Sequence, residues 1–288
     1  MKIGYACINT QIGCSTNSTF RLKNFTKENF IEKVSNNLSC LKEILKFNLK
    51  NNLLFYRISS AIIPFASHEV CKIDWVKYFK KDFKEIGKFI NENKLRVSMH
   101  PDQFVIINAK DENIVKKSIA ELKYHCDFLD ALNVDESCKV QIHIGGVYGD
   151  KTSAIKRFIE NYKKLPNKIK KRLVIENDHR SYSLKDCLIV NKATNIPLVY
   201  DSYHHECLNN GETFKESISK AIKTWQKKDG NLMVDYSNEG DKKGNHSKHI
   251  DLKKFKEFLK ETKQFDFDIT LEVKDKEKSA LEAIKCLK

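Results

Sequence analysis

The sequence predicts a closed (β/α)8 barrel, and three observations point to that α/β fold. Short runs rich in β-branched and aromatic residues alternate with segments of helical periodicity along all 288 residues. The runs are continuously apolar, as strands are when both of their faces are buried. Only 4 prolines and 10 glycines are present, and no Pro-, Gly- or Ser-rich linker divides the chain. Residues 1–288 are therefore expected to form a single barrel domain.

The predicted strands number eight, and their starts are spaced by about 38 residues, the length of a strand, a helix and two loops. They cover residues 2–7, 53–60, 95–100, 139–144, 172–177, 197–201, 231–237 and 268–273. Apolar residues return every three or four positions in 25–49, 74–94 and 112–133, which are predicted to be helices. An open doubly wound sheet would carry a glycine-rich phosphate loop after its first strand, and GYACINT is not such a loop.

The composition excludes a disordered tail and a small disulfide-stapled scaffold, because 41% of the residues are hydrophobic and can fill a large core. The formal net charge is +14. That charge favours a polyanionic partner. It is equally expected of a chain whose solvated helix faces are simply rich in lysine, and charge alone does not decide between the two.

The nine cysteines include no C-x-x-C pair and show no spacing pattern. They are predicted to be reduced, mostly buried thiols of a cytosolic protein. No apolar run approaches the roughly 18 residues needed to cross a bilayer, and the N-terminus lacks the apolar stretch of a secretory signal. We therefore expect a soluble, cytoplasmic protein without a membrane partner.

Imidazoles and carboxylates stand at the C-terminal ends of six successive predicted strands, where a (β/α)8 barrel builds its active site. They are His100, His143, Glu176, Asp201 with the nearby His204, Asp235 and Glu272, and His246 and His249 follow strand 7. A lone histidine of this kind is more often a hydrogen-bonded structural residue, which is the interpretation of His125 on a predicted helix. Six successive strands with such residues are not explained in this way, because so many buried carboxylates need compensating cations. The mixed ligands favour two or three ions of zinc, manganese or iron(II) over calcium.

Nine segments carry a resemblance to a known family. In order along the chain they are GYACIN, YRISSAIIPFASH, VSMHPDQF, QIHIGG, VIENDH, VYDSYHH, VDYSNEG, GNHSKHID and ITLEVKDK. Over essentially its full length the sequence resembles the UV damage endonuclease family. The resemblance implies a metal-dependent barrel, distantly similar to endonuclease IV. Such an enzyme nicks duplex DNA 5′ to cyclobutane dimers, 6-4 products and other lesions such as abasic sites.

The resemblance also implies a ligand set. His100, His143 and Glu176 would hold one metal, Glu176, Asp201, Asp235 and Glu272 would surround a second, and His204 with His246 would bind a third. The implied cofactors are two or three divalent ions, with manganese preferred and zinc, cobalt or magnesium possible. Glu176 is the expected bridging catalytic residue. Lys274 could add positive charge near the scissile phosphate, although it could equally be a surface lysine.

Damage recognition is the second device that the resemblance implies. Gln103 and Phe104 match a Gln-aromatic pair that is inserted into the duplex at the lesion. Extruding a photodimer costs less than extruding normal bases, because its stacking and pairing are already weakened. From the pattern alone, Phe104 would be predicted to be a core residue. Tyr5, Asn9 and Arg57, at the ends of strands 1 and 2, are further candidates for contacts with the lesion and with phosphate.

The sequence departs from better-known members of the family at strand 7. Those members carry a lysine and a histidine at the positions of Met233 and Asp235, and in some of them the lysine is carboxylated. Methionine cannot be carboxylated, so we expect this chain to lack the modification. Asp235 is expected to remain a ligand, and exchanging imidazole for carboxylate makes the site harder and favours manganese.

Three function classes stay open at this point. The first is a monomeric, nucleoid-associated endonuclease that acts on damaged double-stranded DNA without a small-molecule cofactor. The second is a divalent-metal sugar isomerase or epimerase on the same barrel, which would not need a basic face. The third is a lesion-binding protein that has lost catalysis, which the departures at strand 7 make worth testing. Nicking of irradiated plasmid in the presence of manganese separates the three.

Overall fold

Eight parallel strands close into a barrel in the computed structural model, which describes residues 1–287. Each strand pairs with the next along the chain, and β8 pairs with β1. The strands are β1 Ile3–Cys7, β2 Phe55–Ile58, β3 Arg96–Met99, β4 Val140–His143, β5 Leu173–Glu176, β6 Leu198–Asp201, β7 Leu232–Tyr236 and β8 Phe267–Leu271. All eight overlap the predicted runs, so the predicted (β/α)8 barrel is confirmed.

Helices connect the strands and cover the outside of the barrel. They are α1 Lys27–Lys50, α2 Trp75–Tyr78, α3 Lys80–Glu92, α4 Glu112–Ala131, α5 Lys151–Lys164, α6 Asn167–Lys170, α7 Leu184–Thr194, α8 Ser202–Cys207, α9 Phe214–Ile222, α10 Leu252–Glu261 and α11 Glu277–Ala283. The predicted helix 74–94 is divided at Phe79, where ψ is 21°. No helix in the described part of the chain is both long and apolar enough to span a membrane.

The barrel interior is filled in layers. Phe55 of β2, Val174 of β5, Val199 of β6 and Met233 of β7 form a fully buried apolar layer. Because inward-facing residues of a strand recur every second position, Arg57 and Asp235 lie one layer nearer the C-terminal rim than Phe55 and Met233. The apolar layer therefore forms a floor beneath the polar residues of the rim, and a methionine at 233 belongs to that floor.

The amino-terminal end of the barrel is closed by buried ion pairs. Arg96 Nη1 lies 2.9 Å from Asp268 Oδ2, and Lys139 Nζ lies 2.6 Å from Asp229 Oδ1. Arg96 also donates to the backbone carbonyls of Ser137 and Asn231. These charges are paired and hydrogen-bonded, which is the condition for burying them.

One pair of cysteines corrects the expectation of reduced thiols. Cys14, in the loop after β1, and Cys40, in α1, form a disulfide. The sequence offered no sign of it, because the loop brings the two together only by folding back onto the helix. The other seven cysteines are free. Cys126, Cys138 and Cys187 are buried, whereas Cys7, Cys71, Cys207 and Cys286 are partly exposed, so the expectation of mostly buried thiols holds for three of the seven.

Candidate metal centre and the barrel rim

Glu176, the last residue of β5, is the hub of the rim and is only 1% exposed. His100 Nε2 lies 3.2 Å from its Oε2, and His143 Nε2 lies 3.6 Å from the same oxygen. His204 Nδ1 lies 2.9 Å from its Oε1. Three imidazoles, which follow β3, end β4 and follow β6, thus converge on one carboxylate.

Two groups of side chains at this hub could hold a metal ion. The first is His100, His143 and Glu176, and the second is Glu176, Asp201 and His204. In each group one ligand atom per residue lies within 4.8 Å of the others. Since Glu176 belongs to both groups, the rim can offer two adjacent ligand sets that share one carboxylate.

The state of Asp201 fits a cation at this place. Its Oδ1 accepts a hydrogen bond of 2.7 Å from the His204 backbone, whereas Oδ2 is buried without a hydrogen-bond partner among the described residues. Burial, reinforced by the nearby Glu176 carboxylate, raises the pKa of Asp201 well above its usual range in spite of His204. Burial opposes the charging of His204, but Asp201 and Glu176 outweigh it and raise the pKa of His204 to about 11. A bound cation would satisfy the unpartnered oxygen and stabilise the ionised carboxylate.

Arg57 lies beneath this hub and is nearly fully buried. Its Nη2 donates to Asp235 Oδ1 at 2.6 Å, and its Nη1 donates to Glu272. Gln141 Nε2 donates to Asp235 Oδ2 and to Glu176 Oε2, each at 2.5 Å. Burial raises the pKa of Asp235 to about 6 although Arg57 opposes the shift. Both carboxylate oxygens of Asp235 are therefore occupied by protein donors.

This arrangement differs from the expected second ligand set of Glu176, Asp201, Asp235 and Glu272. Asp201 lies with Glu176 and His204, while Asp235 and Glu272 are held by Arg57. The physical reason is that the guanidinium compensates two carboxylates without a metal. Burial raises the pKa of Glu272, but Arg57 outweighs it and lowers that pKa to about 2.

His246 lies on the other side of the hub, in the loop after β7. Its Nε2 is 3.4 Å from Glu272 Oε2, and its ring centroid is 5.9 Å from that of His204. Its Nδ1 is hydrogen-bonded to Ser237 Oγ at 2.7 Å. The structure thus brings His204 and His246 side by side, as expected for a pair. His249 lies apart, exposed and paired with Asp275 at 2.8 Å.

Tyr5, Asn9 and Arg57 have their polar groups paired inside the barrel. The Tyr5 hydroxyl donates to Asn48 Oδ1 at 2.7 Å and accepts from Asn9 Nδ2 at 2.8 Å. All three predicted contact residues are buried. Their polar groups pair inside the barrel, and direct contact with the lesion or with phosphate stays a prediction.

Gln103 and Phe104 lie exposed on the loop between β3 and α4. The Phe104 side chain is 73% exposed, so the pattern-based prediction of a core residue is wrong. The loop is nevertheless ordered by local bonds, since Asp102 Oδ1 accepts from the Phe104 backbone and Ser118 Oγ accepts from Ile106. Beside Phe104 runs a groove of about 800 Å³.

Lys274 is exposed on the loop after β8. Its Nζ lies 4.0 Å from Asp241, and its backbone N–H donates to Ser247. His125, expected to be a structural histidine, is buried and hydrogen-bonded to Ser60 Oγ and to the Glu121 carbonyl.

Three residues of the rim were missed by the sequence analysis. Gln141 bridges Arg57, Asp235 and Glu176, and its place two residues before His143 on the same strand face could have revealed it. Asn177 ties β5 to β6 by two hydrogen bonds with the backbone of Asp201. The His179 ring lies 5.3 Å from that of His204.

Known proteins are similar to this chain along its whole length. A family model described as "UV-endonuclease UvdE" matches residues 1–288. A UV DNA damage endonuclease of Clostridium perfringens (strain 13 / Type A) is 48% identical over an alignment of 292 residues. The alignment covers 100% of this chain and 71% of that protein. The crystal structure of SacUVDE is similar at a TM-score of 0.95 and 44% identity, covering 100% of this chain and 98% of that one.

More distant solved structures share the fold alone. Endonuclease IV from Thermus thermophilus has a TM-score of 0.59 at 13% identity, over 85% of this chain and 92% of that one. A D-psicose 3-epimerase from Clostridium cellulolyticum has a TM-score of 0.57 at 14% identity, over 85% of this chain and 91% of that one. Fold likeness at this level does not distinguish a nuclease from an epimerase.

Proposed function

The chain belongs to the UV-endonuclease UvdE family, and on that premise we propose that it nicks duplex DNA 5′ to ultraviolet photoproducts by metal-assisted phosphodiester hydrolysis. Its proposed substrates are cyclobutane dimers and 6-4 products, with abasic sites also cut. One observation carries the proposal: a buried carboxylate, Glu176, is contacted by three imidazoles at the C-terminal rim of the barrel. The proposed enzyme is a cytoplasmic, nucleoid-associated monomer that needs no small-molecule cofactor.

Glu176 would bridge two divalent ions, with His100 and His143 on one side and Asp201 and His204 on the other. Ions bound there, manganese in preference to zinc, cobalt or magnesium, would lower the pKa of a bound water and neutralise charge on the phosphate. A backbone hydrogen bond fixes the orientation of the His100 imidazole and decides which of its nitrogens carries the proton. His100 Nδ1 must donate to the Pro101 carbonyl at 2.7 Å, which leaves Nε2 facing Glu176 as the basic nitrogen.

Gln103 and Phe104 would recognise the damage. An exposed aromatic ring can stack in the space that an extruded photodimer vacates, and the glutamine can pair with exposed base edges. Lys274 would add positive charge near the scissile phosphate. His246 beside His204 would complete a third metal site or contact the phosphate directly.

The lesion-binding protein without catalysis remains the second candidate, and a specific observation favours it. The resemblance implies a histidine at the position of Asp235, and both oxygens of Asp235 are bound by Arg57 and Gln141. One ligand expected from the family would then be absent from the metal sites. Incision must decide, because binding alone suits both candidates.

The deciding experiment is incision of an end-labelled duplex that contains one cyclobutane dimer, in the presence of manganese and, in parallel, of zinc, cobalt or magnesium. We expect one nick 5′ to the dimer with a 3′-hydroxyl. Glu176→Gln should reduce the rate by more than the roughly 10- to 100-fold that loss of an outer-shell partner costs, while leaving DNA binding nearly unchanged. Glu92→Gln, the same substitution at an exposed position on α3, is the matched control.

Two results would count against the proposal. Damage-specific binding without incision in any of the four metals would make the chain a lesion-binding protein. Full activity of Glu176→Gln would remove Glu176 from the centre of the mechanism.

A further inference from the structure

We propose that the loops after β7 and β8 form a binding surface for the DNA phosphates on the 5′ side of the cut. This inference rests on the proposed function and assigns the orientation of the duplex on the barrel. The surface is built from five exposed lysines, here called the lysine arm: Lys242, Lys243 and Lys248 after β7, Lys274 after β8, and Lys278 in the first turn of α11.

The tip of the lysine arm is an ordered turn. The backbone N–H of Asn245 donates to the Lys242 carbonyl at 2.9 Å, which closes the four-residue turn. Gly244 holds the third position with φ +88°, and a Cβ there would lie 2.7 Å from His179. The Tyr203 hydroxyl accepts from the Gly244 N–H at 2.8 Å. Lys242 and Lys243 are therefore presented at a fixed place.

The base of the arm is joined to the loop after β8. The Lys274 N–H donates to the Ser247 carbonyl at 3.0 Å, and the Asp275 N–H donates to the Lys248 carbonyl at 3.1 Å. These two hydrogen bonds place Lys248 and Lys274 on adjacent segments of loop backbone. His246 lies between the turn and this junction, with Nε2 3.4 Å from Glu272. A phosphate chain bound by the arm would thus lead directly to the candidate metal centre.

The charges of the arm are almost unpaired. Among residues 1–287, only Lys274 of the five has a carboxylate within 4.0 Å, and that partner, Asp241, is 96% exposed. An exposed pair of this length contributes about 0–1 kcal/mol, so it does not compete with a phosphate. The nearby Asp275 is occupied by His249 and by Ser279 Oγ. The lysines are available to release counterions from DNA.

The direction of the strand follows from the topology. In the closed barrel β3 and β7 lie on opposite sides, so the loop that carries Phe104 and the lysine arm face each other across the rim. The candidate metal residues lie between them. If Phe104 marks the lesion and the cut is 5′ to it, the damaged strand runs 3′ to 5′ from Phe104 across the metal centre to the arm.

The test compares two double variants that remove the same charge. Lys242→Ala/Lys243→Ala removes the tip of the arm. Lys227→Ala/Lys228→Ala removes an exposed lysine pair from the turn Lys227–Asp229, which precedes β7 at the opposite end of the same strand. Each protein is assayed with manganese on three duplexes that carry one cyclobutane dimer: one with long flanks, one with only a few base pairs 5′ to the dimer, and one shortened equally on the 3′ side.

We expect the arm variant to raise KM several-fold on the long duplex with kcat nearly unchanged. The slope of log affinity against log salt should fall by roughly 2, one unit for each lost contact. On the 5′-shortened duplex parent and arm variant should become equal, whereas the difference should persist on the 3′-shortened one. The control variant should match the parent throughout, and Lys248→Ala, outside the turn, should reproduce half of the effect.

A defect that vanishes on the 3′-shortened duplex instead would reverse the orientation and overturn the inference. An unchanged KM, or the same rise in the control variant, would also overturn it. If the parent nicks none of the three duplexes, the proposed function fails first. If the parent nicks the duplexes and the arm variant shows an unchanged KM or the opposite dependence on flank length, the inference fails while the proposed function stands.

Discussion

Phe104 is the residue whose setting says most about recognition, because a large apolar side chain is left 73% exposed on an ordered loop. Phe104→Ala should weaken binding to dimer-containing duplex about 5- to 150-fold, since stacking of a base on an aromatic ring contributes roughly 1–3 kcal/mol. Binding to undamaged duplex should hardly change. Fluorescence anisotropy at fixed salt measures both, with Tyr78→Ala, an exposed aromatic residue on α2, as control. Equal losses on the two duplexes would make Phe104 merely structural.

Substitution of Asp235 tests whether this buried carboxylate binds a metal ion or stabilises the fold by pairing with Arg57. Its removal leaves the Arg57 guanidinium buried with one partner fewer, and breaking such a pair costs about 3–5 kcal/mol. Asp235→Ala should therefore lower the free energy of unfolding by that amount in urea, with EDTA and with manganese alike. Asp241→Ala, at an exposed acid, should change it little. A loss that appears only with manganese would restore Asp235 as a ligand.

At the scale of elements, the loop after β4 couples the metal residues to the recognition loop. Gly145, two residues after His143, has φ +111°, and a Cβ there would collide with Ile106 Cγ2 and lie 2.5 Å from Asn108 Oδ1. Both neighbours belong to the loop that carries Phe104. Asn108 Nδ2 in turn donates to the Gly146 carbonyl at 2.8 Å. The position of Phe104 thus depends on a close approach that only glycine permits.

Gly145→Ala should displace the recognition loop and reduce incision about 10- to 100-fold, because a misplacement of about 1 Å can cost about 100-fold in rate. Gly149→Ala is a closely matched control, because it also has positive φ, +82°, but no atom within 4 Å of its Cβ. Both variants bear backbone strain of about 1 kcal/mol, so both should lose a little thermal stability. Equal incision by the two would show that the contact with the recognition loop is unimportant.

At the scale of the whole molecule, the net charge of +14 should act on affinity and not on damage preference. If six or more phosphates are neutralised, affinity for undamaged duplex should fall about 1,000-fold between about 50 and 200 mM salt. The ratio of damaged to undamaged affinity should stay nearly constant, because it depends on the deformability of the lesion. Titrations of both duplexes across this salt range measure the two quantities. A ratio that collapses with salt would place recognition in the charges.

The architecture of the barrel was predictable because it follows from local patterns. Each strand is a short run rich in apolar, β-branched and aromatic residues, and each candidate ligand stands at or just after the C-terminal end of its run, so a parallel barrel must bring those ends to one rim. His100, His143, Glu176, Asp201 and His204 could be assembled from the sequence on this ground alone. The exposure of Phe104 could not be read from periodicity, since a phenylalanine in a loop has no neighbours in sequence that reveal its packing.

The partners of the polar groups depend on how the chain folds in space. Arg57 and Asp235 are 178 positions apart and meet because the barrel closes, so no local pattern can show that the guanidinium occupies a carboxylate expected to bind metal. Cys14 and Cys40 meet because a loop folds back onto α1. The alternation of side chains along each strand already shows which residues reach the rim. Closure of the barrel determined which of them pair with one another and which remain free for a cation, because those contacts depend on distances in space and not along the chain.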